Sequence, residues 1–236
     1  MNISHVKKTK NVVYDHHGYK KQLVFCLLMP RGSATGLFTM KSLLLKRTHL
    51  QPVSIYVIVI LLITLARILF PNFSVAFAAL ILFSTPFLVT DRMRGFKWDP
   101  RGLLIGVVVS IVVLPTYLVL GLLLTANTIH VDRISAIIIA LQLFFVAIPE
   151  EVFFRGYLQE RLGNSLMGVL IVSLLFALGH FFTLCVASGF IGGICTQSIL
   201  TFFPSLIMGY LYARTGTLWG SIIFHFLSNI AYISMQ

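Results

Sequence analysis

The stretch "GLLIGVVVSIVVLPTYLVLGLLLT" (residues 102–125) contains no charged side chain. About 20 consecutive apolar residues suffice to cross the hydrocarbon core of a bilayer as a helix. Every backbone group in lipid must be satisfied internally, and the stretch shows no strand-like alternation, so it predicts a transmembrane helix rather than a strand of a barrel. Outward from it in both directions, comparable apolar segments recur at residues 53–70, 73–89, 134–162, 166–182, 199–213 and 217–233. The last part of 134–162 is amphipathic. The pattern predicts an all-α, polytopic membrane bundle of about seven transmembrane helices over residues 51–236. Composition agrees, with 58% hydrophobic residues, 11% charged residues and a mean hydropathy of +0.93, well outside the range of ordinary soluble domains.

The net charge of +11 is unevenly spread, since residues 1–50 hold nine Lys/Arg against one acid, Asp15. Such a segment reads as a cytoplasmic tail near anionic lipid, possessing no base-reading fold, so nucleic acid is not expected as a partner. Residues 1–39 are assigned no fold, because "MKSLLLKR" from Met40 is a plausible start in its own right and disorder concentrates at termini. The apolar patch at 23–29 is too short to span and has no convincing cleavage site, so no signal peptide is assigned. The loop 91–101 carries four basic residues, and Arg161 and Arg214 fall on the same side if the spans alternate, leaving Arg133 opposite. The positive-inside rule then places the N-terminus in the cytoplasm and Gln236 outside, as in a bacterial inner membrane. Cys26, Cys185 and Cys195 form no C-x-x-C pair and are expected to be small apolar packing residues without a disulfide framework. The small-residue pairs Gly102/Gly106, Gly189/Gly193 and Gly216/Gly220 fit close helix packing.

Against this apolar background, "IPEEVFFRGYLQERL" (148–162) sets two of the chain's seven acidic residues side by side. An ionisable group inside a span costs about 2.5–3.5 kcal/mol on insertion scales and is a functional candidate by default. Glu150 and Glu151 lie about 100° apart around a helix, whereas Glu151 and Arg155 share a face and can pair. Arg155 would orient Glu151 and leave Glu150 free to act as a base. Counted from the expected helix ends, Glu150 lies roughly 18 Å deep, His180 roughly 21 Å, His225 roughly 12 Å and Asn229 roughly 18 Å. A carboxylate, two imidazoles and an amide at similar depth can activate water against an acyl carbon and receive the oxyanion.

These residues resemble a family. "EEVFFR" (150–155) matches an E-E-x-x-x-R motif, "FALGH" (176–180) an F-x-x-x-H motif and "HFLSN" (225–229) an H-x-x-x-N motif of the CAAX-protease and bacteriocin-processing (CPBP) intramembrane proteases, which include the type II CAAX prenyl endopeptidases. The resemblance covers about residues 134–233, with "GYLYARTGTLWGSIIFH" (209–225) leading into the last motif. It implies that Glu150 and His180 activate water, that His225 and Asn229 shape the oxyanion site, and that Glu151 and Arg155 support them. The expected activity is cleavage of a membrane-associated protein or peptide substrate within the lipid bilayer, near its C-terminus or at a membrane-proximal bond. The favoured expectation uses no cofactor. The zinc alternative would take Glu150, His180 and His225 as a two-His, one-carboxylate set with an open position. The competing class is a non-catalytic membrane protein, whether scaffold, bacteriocin-immunity protein or small transporter. No inverted repeat relates the two halves of the chain to favour a transporter.

Overall fold

A computed structural model describes residues 34–90, 95–125 and 129–235. The expected tail therefore lies outside the described residues as far as residue 33, as do Arg92 and Arg94 of the basic loop. The described residues from Lys46 onward form one compact unit. The described chain is helical and has no strands: α1 (Ala34–Leu69), α2 (Ser74–Val89), α3 (Pro100–Thr125), α4 (Ala136–Leu162), α5 (Leu166–Val186), α6 (Gly192–Thr215) and α7 (Leu218–Ser234). Six of these are long and apolar enough to cross a membrane, α1 through Leu50–Leu69 and α2 together with the turn before it as Pro71–Val89, and α7 is a shorter apolar helix. The chain is thus an integral, multi-pass membrane protein. Apolar side chains in the middle of the spans, such as Leu61, Ile111 and Leu174, are exposed, as expected where lipid rather than water surrounds the bundle.

Local sequence marks the helix boundaries. Ser165 accepts the Gly168 N–H at 3.3 Å and caps the start of α5, satisfying one of the donors a helix N-terminus leaves unpaired. Gly216 ends α6 in the left-handed conformation at φ 68°, which a residue without Cβ adopts at no steric cost. α6 begins at Gly192, earlier than the expected residue 199, because the polar Thr196, Gln197 and Ser198 lower hydropathy without breaking the helix. α5 runs on to Val186.

The hub is the second half of α4, where every residue from 151 to 159 is buried. A helix enclosed all round belongs at the centre of a bundle. Its Phe153, Phe154, Tyr157 and Leu158 pack with Tyr56, Val59, Ile60 and Ile63 of α1, Leu82 of α2, Phe176 of α5 and Met208 of α6. A polar seam ties α4 to α6. Arg155 donates to the Ser205 carbonyl at 3.0 Å and to its hydroxyl at 2.9 Å. Gln159 donates to the Gly209 carbonyl at 2.9 Å, and Tyr212 donates to Glu160 at 2.8 Å. Both Arg155–Ser205 and Gln159–Gly209 are separated by 50 residues, so α4 and α6 run parallel, as strict alternation of spans requires.

α7 packs along α3, and here glycine is indispensable. A Cβ on Gly106 would meet the Gly220 carbonyl oxygen at 2.5 Å, and one on Gly220 would meet the Gly102 carbonyl oxygen at 2.7 Å. The two backbones touch, as small residues allow between membrane helices. The packing expectation does not hold for Gly189 and Gly193, nor for Gly216, where an added Cβ would meet nothing within 4 Å.

The cysteine expectation is overturned. Cys185, near the end of α5, forms a disulfide with Cys195, in the first turn of α6, with their Cα atoms 4.5 Å apart. The residues are 10 apart in sequence, and the chain reverses between them through Gly189 at φ 75° and Phe190 at φ 63°. That reversal, invisible to a search for C-x-x-C, brings the two sulfurs together. The disulfide lies at the end of the bundle opposite Arg161 and Arg214, which close α4 and α6.

Candidate active site

The site is built where α4 departs from regular geometry. Pro149 has no N–H to give to the helix ladder. On either side of the short turn Ile148–Glu151, the chain takes wider π turns, over Gln142–Ala147 and Val152–Gln159, and the Ile148 N–H bonds the Leu143 carbonyl five residues back. A third π turn, Phe181–Val186, begins directly after His180. Such turns are rare and are frequent at functional sites, because each inserts a residue and re-aims the side chains around it. Here they present the two adjacent glutamates to different neighbours.

Glu151 points into the protein and is fully buried with Arg155, whose Nε lies 3.3 Å from its Oε2. Its other oxygen accepts a hydrogen bond from His225 Nδ1 at 2.9 Å. Glu150 points the other way and keeps 16% of its side chain exposed. Its Oε2 stands 3.9 Å from His180 Nε2 and 3.7 Å from His225 Nε2. One carboxylate oxygen from α4 therefore faces imidazoles from α5 and α7.

The tautomers follow from the partners. His180 Nδ1 lies 3.1 Å from the Phe176 carbonyl, which can only accept, so Nδ1 carries the proton. His225 Nδ1 faces a carboxylate and donates likewise. Both rings therefore turn Nε2 toward Glu150 Oε2, across gaps longer than a hydrogen bond. The ring of Phe176 is their common platform. It lies 4.4 Å from the His180 ring, centroid to centroid, meets His225 edge-on at 5.8 Å, and receives the Arg155 guanidinium at 5.1 Å.

Asn229 stands one turn beyond His225, and its amide donates to Gln142 Oε1 at 2.9 Å. The structure thus gathers Glu150, His180 and His225 around one point, sets Glu151 and Arg155 behind His225, and places Asn229 against Gln142 at the first π turn of α4. Phe176, Gln142 and Ser205 had no assigned role from sequence. Phe176 could have been found, because it precedes His180 by one turn on the same face. Gln142 and Ser205 show themselves only through partners on other helices.

A pocket opens from this centre between α1, α2, α4 and α5. Glu150, His180, Thr183 and Arg67 line it together with apolar residues of α1 and α2. As a set, Glu150, His180 and His225 have the donor chemistry of a hydrolytic zinc centre. Among the described residues, however, no three His, Cys, Asp or Glu side chains are grouped so as to hold a metal ion.

Residues 132–231 match the family model for type II CAAX prenyl endopeptidase Rce1-like proteins. No curated protein and no solved structure matches the chain. The matched stretch contains all three motifs whose resemblance to CAAX proteases is read from the sequence, and the resemblance holds over that stretch.

Proposed function

With residues 132–231 Rce1-like, a protease family, we propose that this chain is an intramembrane endopeptidase that hydrolyses a peptide bond of a membrane-associated protein. The single observation that carries the proposal is the position of Glu150 Oε2, 3.9 Å and 3.7 Å from two imidazole nitrogens on separate helices. A water beside these gaps lies within hydrogen-bond reach of both groups. Held by Glu150 and His180 Nε2, the water gives its proton to the Glu150 carboxylate as its oxygen bonds to the substrate carbonyl carbon. The carbonyl oxygen becomes an oxyanion. His225, held through its Nδ1–H by Glu151, and the second N–H of the Asn229 amide shape the oxyanion site. Collapse of the tetrahedral carbon breaks the C–N bond, and Glu150 returns its proton to the leaving amine. Glu151 and Arg155 orient His225.

No step of this sequence requires a metal. A zinc ion, if bound at Glu150, His180 and His225, would supply Lewis-acid activation of the same water.

The N-terminus is proposed to be cytoplasmic, in a bacterial inner membrane. Lys97, Arg101, Arg161 and Arg214 share one end of the bundle, where the Leu218 N–H bonds the Gly95 carbonyl and Tyr212 bonds Glu160. The Cys185–Cys195 disulfide at the opposite end suits an oxidising compartment.

The test is a mass-spectrometric comparison of membrane-protein termini from cells carrying the wild type or Glu150→Gln. New C-terminal or membrane-proximal ends present only with the wild type are expected. Identical termini in both would count against an endopeptidase.

A further inference from the structure

Arg67 is a guanidinium inside the first span, Leu50–Leu69. It is half-buried, and among the described residues its guanidinium has no ion-pair or hydrogen-bond partner. A cation in that position is costly unless something neutralises it. Ile60, Ile63 and Arg67 line the pocket that holds Glu150 and His180, and their spacing puts them on one face of α1. A Cβ on Gly179, next to His180, would lie 3.1 Å from Ile60 Cδ1, so Ile60 is level with the reacting groups. Arg67 is seven residues further along α1, about 10 Å at helical rise. An extended peptide covers that distance in about three residues. The pocket therefore runs from the water-activating pair, past Ile63 and Thr183, to an unpaired cation.

We infer that Arg67 is a specificity-determining residue that binds a carboxylate of the substrate a few residues beyond the cut bond. This rests on the endopeptidase reading above. The intervening wall is mostly apolar, and Glu150, the acid of the pocket, faces two histidines. A carboxylate carried in by the substrate would complete the charge balance at Arg67 and fix the distance between the substrate's anionic group and Glu150. A planar guanidinium holds a carboxylate through two parallel hydrogen bonds, which a lysine cannot reproduce. The same carboxylate chemistry is available from a free C-terminus or an acidic side chain.

The experiment uses the full chain in nanodiscs and three versions of a peptide that the wild type cleaves: free C-terminal acid, C-terminal amide, and amide with an added acidic residue at the last position. The wild type is expected to cleave the acid with a kcat/KM at least about thirtyfold above the amide, the scale of losing one partner of an enclosed charge pair. Arg67→Gln is expected to cleave both at the amide's rate, and Arg67→Lys to fall between. Restoration of the rate by the added acidic residue assigns the carboxylate to a side chain; failure of restoration assigns it to the C-terminus.

Binding of the same peptides to Glu150→Gln, measured by fluorescence anisotropy, must show the same acid preference. That readout survives even if the catalytic reading fails. Equal handling of the acid, the amide and the amide with the added acidic residue by the wild type, or a carboxylate preference undiminished in a folded Arg67→Gln, would overturn the inference. So would an effect of Arg67→Gln that appears only in anionic lipid, since the cation would then serve headgroup phosphates.

Discussion

His225 donates its Nδ1–H to Glu151 across 2.9 Å, and Glu151 is fully buried with Arg155 at its other oxygen. The second glutamate of the pair thus belongs to the histidine of α7, through the centre of the bundle.

Glu151→Gln should leave the Arg155 guanidinium with its charge uncompensated in the core. Removing one member of a buried pair costs about 3–5 kcal/mol, so thermal unfolding in detergent should shift sharply downward. Glu151→Gln combined with Arg155→Met should recover much of that loss. Strict additivity of the two single effects would show that the pair is not coupled.

His180 retains 21% of its side-chain exposure and holds its ring by one bond to its own helix, so its replacement should affect rate more than fold. His180→Ala should lower kcat by about 10²–10⁴, the range for a positioned proton-transfer group, with the unfolding midpoint little changed. A variant cleaving within a few-fold of wild type would remove His180 from water activation.

Reduction of Cys185–Cys195 opens a short loop at the end of α5. The chain-entropy relation gives about 2–3 kcal/mol for a loop of this length, so the reduced protein should unfold at lower temperature. Peptide mapping without reductant should recover the two cysteines linked. Free thiols at both positions in protein isolated from membranes would contradict the disulfide and the orientation drawn from it.

Gly106→Ala forces a methyl group into the backbone of α7, at an overpacking cost of about 1–3 kcal/mol. Because α7 carries His225 and Asn229, kcat should fall along with stability. Gly193→Ala, where an added Cβ meets nothing within 4 Å, should change neither measurement.

Much of the architecture was legible because hydropathy reports directly on burial in lipid. Each expected span has its helix, and disagreements are confined to ends such as that of α6, where polar residues sit inside a continuous helix. Glu151–Arg155 was legible because i, i+4 is a local relationship. What escaped depends on contacts between helices. The disulfide needs the reversal at Gly189 and Phe190, Gln142 acquires meaning only opposite Asn229, and Ser205 only opposite Arg155. Arg67 was given no role from the sequence, and its place in the pocket follows from the approach of Ile60 to Gly179.

The most direct test of the catalytic claim is the cleavage rate of purified wild type and Glu150→Gln in liposomes, after exhaustive chelation, on a substrate identified by terminus mapping. The account predicts that chelated wild type stays active while Glu150→Gln, folded and with an unchanged melting temperature, loses at least about a hundredfold in kcat. Cleavage by Glu150→Gln at the wild-type rate would contradict it.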